Sequence, residues 1–196
     1  PAGKAPPRLV VRGEILMHLA DFQELNARLV AAGEEPFANP RNSSAGAIRQ
    51  LDARITATRP LVFYAYEIVG GEALGIASES DCLELLRGLG FRVDASIRAC
   101  ATIGEALAYH AELRDRRDAL AFEIDGVVVK VDGLAEHVVL GTRTRSPRFA
   151  IAYKFAPREE VTTVERIVVQ VGRTGKLTPV ALLRPVSVGG VTVSRA

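Results

Sequence analysis

Two lysines close segments that alternate like β-strands. In Asp125-Gly-Val-Val-Val-Lys130 the alternation predicts Gly126, Val128 and Lys130 on one face. In Arg148-Phe-Ala-Ile-Ala-Tyr-Lys154 it predicts Arg148, Ala150, Ala152 and Lys154 on one face, with Ile151, Tyr153 and Phe155 turned the other way as core. Each lysine therefore shares its face with small or slim residues, which leave room for a ligand. Two ammonium groups facing one cavity repel unless an anion lies between them, and a phosphate meets that demand. The ordinary alternative is a pair of edge lysines reaching solvent, which is the commoner fate of lysine.

Three further segments have weaker or stronger claims. Arg12-Gly13-Glu14 ends a predicted strand with Arg12 and Glu14 on one face. The carboxylate there can accept hydrogen bonds from ribose hydroxyls, or simply pair with a neighbouring cation. The stretch from Phe37 to Asp52 is more specific. Arg41 precedes a short predicted helix, Ser43 to Leu51, whose Ser43, Ser44, Ala45, Gly46 and Ala47 permit close approach of a backbone or ligand, and Arg49 lies on it. A plain packing helix explains the small residues but gives no reason for Asn39-Pro-Arg-Asn42. Gly172-Arg-Thr-Gly-Lys176 is not a P-loop. Only two residues separate its glycines and Leu177 follows the lysine, so it predicts a tight turn with Arg173 and Lys176 exposed.

Other chemistries find no support. His18, His110 and His137 are scattered, and His110 falls on a predicted helix where a surface role is expected. Cys82 and Cys100 have no metal-ligand spacing, and no Ser-His-Asp set can be drawn.

The elements that must position these residues belong to an ordinary globular chain of 196 residues, 48% apolar and 24% charged. Twenty-five basic against 23 acidic residues give a net charge of +2, which excludes a polycation but permits a local basic face. There is no apolar run long enough for a membrane span, and two cysteines fit a reducing cytoplasm. The chain lacks an initiator Met, and Val186 to Ala196 reads as strand without a closing element, so it is expected to be a fragment of a longer protein.

Strands are predicted over Arg8 to Leu16, Leu61 to Val69, Phe91 to Ile97, Phe122 to Val131 and Phe149 to Phe155. Pro36 to Asn42 reads as a loop. Helices are predicted over Asp21 to Gly33, with an Asp21/Glu24 capping box, over Asp81 to Leu89, and from the Thr102/Glu105 capping box to about Arg117. From Val161 onward the helical period gives way to short Val-rich strands with turns at Gly172 to Gly175 and Gly189-Gly190. That change marks a boundary near Ala156 to Glu160.

In their order these segments resemble the NAD-dependent DNA ligases of bacteria. The resemblance runs from Val11-Arg-Gly-Glu14 through Asn39-Pro-Arg-Asn42, Arg49-Gln-Leu-Asp52, Asp125-Gly-Val-Val-Val-Lys130 and Ala152-Tyr-Lys-Phe155. It continues through Val171-Gly-Arg-Thr-Gly175 to Val191-Thr-Val-Ser-Arg-Ala196, and so covers nearly the whole chain. Arg-Gly-Glu, Asp-Gly-Val-Val and Tyr-Lys-Phe correspond to nucleotidyltransferase motifs III, IV and V.

The resemblance implies an α+β fold: a nucleotidyltransferase (ATP-grasp-like) core of antiparallel sheets with flanking helices, followed by the first strands of an OB-fold β-barrel. It divides the chain into an adenylation domain, residues 1–157, and an OB-fold portion, residues 158–196. It also implies roles. Glu14 would hold the adenosine ribose and Tyr66 would stack on adenine. Arg41 and Arg49 would sit near the nucleotide phosphates and the nick. Lys130 and Lys154 would neutralise the adenylate phosphate. Asp125 would organise the site or a Mg²⁺ ion, which requires a bend at Gly126 to bring it to the lysines' face. Arg173 and Thr174 would touch DNA backbone.

The implied parent is a cytoplasmic, monomeric enzyme that seals nicked double-stranded DNA in replication and repair. It would use NAD⁺ as AMP donor and pass through lysyl-AMP and DNA-adenylate. The chain departs from the family pattern in lacking a Lys-x-Asp-Gly nucleophile motif N-terminal to the Arg-Gly-Glu strand, so by itself it is expected not to adenylate itself. Phe149 stands where Trp is usual, Ala156-Pro157 reverses Pro-Ala, and Glu67 follows Tyr66 where a small residue is common. Two rival readings are an ATP-dependent nucleotidyltransferase and a non-catalytic nucleotide- or DNA-binding relic of a ligase.

Overall fold

A computed structural model describes residue 6 and residues 8–144, 146–157, 159–188 and 191–196. The predicted turn at Gly189-Gly190, and Arg158 within the predicted boundary, lie outside the described residues. The first sheet is an antiparallel pair, β1 (Val11–Leu16) with β2 (Val62–Ile68). Between them come three helices, α1 (Leu19–Ala31), α2 (Pro40–Ile48) and α3 (Ala53–Ala57). After β2 follow α4 (Glu79–Gly88) and α5 (Ile103–Arg116). The second sheet pairs β3 (Gly126–Lys130) with β4 (Ala150–Lys154), antiparallel, with α6 (Leu134–Leu140) between them. The last sheet is the antiparallel meander β5 (Val164–Val171), β6 (Leu177–Val188) and β7 (Val191–Arg195).

The β1–β2 ladder carries a bulge. Arg12 faces Glu67 and Gly13 faces Ala65, so Tyr66 has no partner. The extra residue shifts the alternation, and Ala65 and Ile68, three positions apart, are both buried. They meet Cys82 and Leu86 of α4 in the core, with Leu9, Val11, Ile76 and Phe91 packed around them. A side chain at Gly13 would strike the Phe63 ring and the Tyr64 carbonyl, so the close approach of β2 at the bulge requires glycine in the Arg-Gly-Glu segment.

Helix ends depart from expectation where a cap was misread. α1 starts at Leu19, two residues before Asp21, with His18 as an N-cap whose side chain makes no capping bond and meets Tyr64 OH instead, so the Asp21/Glu24 box does not form. Its other end follows the prediction. Gly33, at φ +76°, closes a Schellman turn in which Gly33 N–H donates to Val30 O and Glu34 N–H to Leu29 O. α2 begins three residues earlier than predicted. Asn39 is its N-cap, accepting from Asn42 N–H at 2.7 Å, and Pro40 occupies the first turn, where its missing donor has no cost. Part of Asn-Pro-Arg-Asn is thus a helix start. The Thr102 cap forms as predicted, at 3.2 Å to Glu105 N–H.

Residues 91–97 do not form the predicted strand. Arg92 O takes one bond from Ala65 N–H, and then the Asp94 side chain accepts from Ser96 N–H and turns the chain away. The strand predicted over Phe122 to Val131 is shortened to β3. His110 is buried, stacked on Tyr153 at 4.0 Å between ring centroids and tilted on Phe155. Of the three residues expected as core beneath β4, only Phe155 is buried, while Ile151 and Tyr153 stay exposed. The physical reason is coverage: the main helical partner of this two-stranded sheet is α5, whose His110 packs on Tyr153 and Phe155. In the meander, Pro179 lies where β6 pairs only with β5, and Pro185 where the β6–β7 ladder shifts register. Both are places a strand tolerates a missing N–H.

Candidate active site

The β3–β4 register sets the arrangement of the lysines. Gly126 faces Lys154, Val128 faces Ala152 and Lys130 faces Ala150, so all six share one side of the ladder, as alternation predicts. The lysines nevertheless stand at opposite ends. Four residues of strand rise, about 13 Å, separate their backbones. Each has its own carboxylate: Lys154 Nζ lies 2.9 Å from Asp125 Oδ2, and Lys130 Nζ lies 3.3 Å from Glu79 Oε2.

Lys154 opens onto a cleft of about 1020 Å³ between β1, α2 and the approach to β3. Glu14, Arg41, Arg117, Glu123, Asp125 and Lys154 line it. α1 is tied to its far wall by the Leu19 N–H bond to Ala121 O, 2.8 Å. The β3–β4 ladder shows no irregularity at Gly126, yet the Asp125 and Lys154 side chains meet. A Cβ on Gly126 would strike the Tyr153 carbonyl oxygen and come within 2.6 Å of Lys154 Cα. The two strands therefore approach closely at this residue, and the Asp125 carboxylate lies within reach of Lys154 Nζ. The hydrogen bond from Lys154 holds the Asp125 carboxyl below the usual carboxylate range; burial opposes it, and the charges of Lys154 and Arg41 add to the lowering. Both partners are about two-thirds exposed, 68% and 67%, so solvent screens the pair and leaves each free to meet another ion.

Lys130 opens onto a smaller hollow, about 410 Å³, where the ends of β3 and β4 meet β1, β2, α4 and α6, lined also by Arg12, Glu67, Glu79 and His137. Arg12 pairs with Glu67 through one nitrogen at 2.8 Å to both carboxylate oxygens, which gives Glu67 its structural place. The unpaired bulge residue Tyr66 is turned so that Lys130 Nζ lies 5.5 Å from its ring centroid.

The remaining candidates lie apart from these hollows. Arg49 caps the C-terminal end of α2, about 12 Å along the helix from Arg41. Arg173 and Thr174 are exposed on the β5–β6 turn, closed by Gly172 N–H to Lys176 O at 2.8 Å with Gly175 at φ +78°. Sequence reasoning missed Arg117, Glu123, Glu79 and His137. Arg117 enters the cleft through a 3-10 turn, Arg117–Ala119, which a helical period does not reveal. Among the described residues no three His, Cys, Asp or Glu side chains converge to hold a metal ion, and no helix is long and apolar enough to cross a membrane.

Comparison with known proteins matches residues 2–158 to the NAD-dependent DNA ligase adenylation domain and residues 161–196 to the NAD-dependent DNA ligase OB-fold domain. The chain is 55% identical over 192 residues to a DNA ligase of Geotalea uraniireducens, covering 97% of this chain and 29% of that protein. It is 52% identical over 196 residues to a DNA ligase of Salinibacter ruber, covering 100% and 28%, and 53% identical over 194 residues to one of Haloferax volcanii, covering 99% and 28%. The chain thus spans under a third of the length of the curated relatives it matches.

Proposed function

The chain belongs to the NAD-dependent DNA ligase family, and on that premise we propose that it is the part of such a ligase that binds and transfers adenylate, followed by the beginning of its OB-fold. We divide it at residues 157 and 158, and read the first part as a nucleotidyltransferase core of the ATP-grasp-like kind. The observation that carries the reading is the convergence of Glu14, Arg41, Asp125 and Lys154 on one cleft from β1, α2 and the two strands of the second sheet.

The residues suit NAD⁺ as substrate and AMP donor. Glu14 offers carboxylate oxygens to ribose hydroxyls. Lys154 and Arg41 offer cations to phosphate, and Lys154 can exchange its exposed bond to Asp125 for one to a phosphate oxygen. Tyr66 offers a half-open ring beside Lys130, suited to a base stacked over it. When AMP moves, negative charge shifts between phosphate oxygens and the leaving group, and fixed cations favour the state in which it has moved. Glu14, Glu123 and Asp125 line the cleft without forming a cage, which suits a Mg²⁺ that keeps most of its water and is held by one or two carboxylates together with substrate phosphates, where it adds positive charge. Arg49, Arg173 and Thr174, outside the cleft, are assigned to the backbone of nicked DNA, which is bound by such phosphate contacts. We place the whole protein in the cytoplasm as a monomer.

The test uses the longer protein that carries this chain, incubated with Mg²⁺ and NAD⁺ labelled in its adenylate. Lys130→Ala and Lys154→Ala are each expected to lower covalent AMP uptake by about two orders of magnitude, with melting temperature nearly unchanged for the exposed Lys154 and lowered for Lys130, whose loss leaves Glu79 without its partner. Wild-type uptake in either variant removes that lysine from the site. Preference for ATP over NAD⁺, or DNA binding without any AMP uptake by the wild type, overturns the reading. The 196-residue chain, which has no Lys-x-Asp-Gly motif N-terminal to Arg12-Gly-Glu14, is expected to take up none by itself.

A further inference from the structure

We infer that Glu79 is a positioning residue for Lys130: its carboxylate, fixed by the anchored first turn of α4, holds the Lys130 ammonium beside the Tyr66 ring. The functional consequence rests on the reading of Lys130 as a phosphate-facing cation, but the contact itself does not.

Both oxygens of Glu79 lie on Lys130 Nζ, at 3.4 and 3.3 Å, and the pair is largely withdrawn from solvent, 14% exposed for Glu79 and 26% for Lys130. That distinguishes it from the open Lys154–Asp125 pair, which solvent loosens. Glu79 is not free to follow the lysine. Ser78 caps α4 through Asp81 N–H. Glu79 N–H donates to Asp132 O at 2.8 Å, and Leu134 N–H to Ala77 O at 2.9 Å. Ser80 donates to Asp132 Oδ1 twice, from N–H at 2.9 Å and from its hydroxyl at 2.7 Å. Asp132 lies two residues beyond Lys130, so these four bonds lock the carboxylate to the strand that carries its lysine. On its far side Glu79 meets the buried His137, whose Nδ1 lies 4.0 Å away. That ring is held in turn by its Nε2 contact with Val131 O and by stacking on Phe149 at 3.8 Å.

Lys130 is thus bounded by Glu79 and by the Tyr66 ring. A four-carbon side chain without such a partner samples many rotamers, and only some present the ammonium at one place. Glu79 selects among them. It touches no substrate in this reading; it acts through Lys130.

Two measurements test this. The chain has four lysines, so trace acylation followed by mass spectrometry resolves each one. In the 196-residue chain, Glu79→Gln should speed acylation of Lys130 about fivefold, by releasing a charge-assisted bond, and leave Lys154 unchanged. Glu79→Asp, one methylene short of reach, should do the same, and it serves if the Gln variant melts early. Unchanged Lys130 labelling in both variants overturns the inference.

In the longer protein, Glu79→Gln should slow AMP uptake about tenfold when Lys130 is present and have no effect in a Lys130→Ala background, because coupled residues do not add. An additive loss means Glu79 acts on the fold, and a faster reaction means it competes with substrate for Lys130. Either overturns the inference. A wild type that takes no AMP from NAD⁺ refutes the proposed function and leaves the labelling result standing, so the two failures are distinguishable.

Discussion

Replacing Gly126 with Ala should separate β3 from β4 at the point where Asp125 and Lys154 are brought together. The added methyl would meet the Tyr153 carbonyl oxygen and stand 2.6 Å from Lys154 Cα, where ordinary contact begins near 3.4 Å. Both obstacles are backbone, so no side chain can swing aside, and the strands must part by about 1 Å. The neighbouring bond, Phe155 N–H to Asp125 O at 2.8 Å, would then stretch beyond useful length. Overpacking strain of about 1–3 kcal/mol and one lost hydrogen bond of about 1 kcal/mol predict destabilisation by roughly 2–4 kcal/mol. Urea denaturation followed by circular dichroism should show the midpoint falling by roughly 1–2 M. The control is Gly88→Ala in α4, where a methyl meets nothing within 4 Å; it should be neutral or stabilising by about 0.5–1 kcal/mol. A Gly126→Ala midpoint equal to that of the wild type would refute the argument that β4's backbone excludes a side chain here.

Other outcomes follow from single contacts. Asn39→Ala removes the cap on Asn42 N–H and should cost about 1 kcal/mol in thermal unfolding, whereas Asn39→Ser should keep most of it. Leu86→Ala, at a side chain 0% exposed in the α4–β2 core, should cost about 2–5 kcal/mol in the same assay. Lys154 depresses the Asp125 carboxyl, so the stability from this pair is present above the unfolded carboxylate value of about 3.9 and is lost as pH falls through the lower folded value. Melting curves of wild type and Asp125→Asn should therefore differ slightly at neutral pH, by under about 1 kcal/mol because the pair is exposed, and converge in acid. A gap that widens in acid would contradict the pairing.

Much of the site was legible because strand alternation is a local rule. It placed Lys130 and Lys154 on one face with Gly126, Val128, Ala150 and Ala152, and the ladder register agrees. It could not say how far apart they stand, because register is a relation between two strands. The helix start at Asn39 is also written in the sequence, as a capping residue followed by proline, but the same residues favour loops and turns, so the pattern by itself does not separate the two. His110 could not be placed from its own helix, since the rings that bury it come from β4, more than forty residues on.

Composition, helix periodicity, capping residues and the shift to Val-rich strands after residue 160 determined the class of fold, and motif order determined the family. These depend on residues close together in the chain, where backbone sterics and hydrogen bonding act directly. Tertiary structure alone decided the bulge that turns Tyr66 toward Lys130, the close approach of β3 and β4 at Gly126 beside the Asp125–Lys154 contact, and the pairing of Lys130 with Glu79. Each of these is set by where two distant segments pack. The partner of a charge is whichever group the folded chain leaves within reach, and no spacing along the sequence records it.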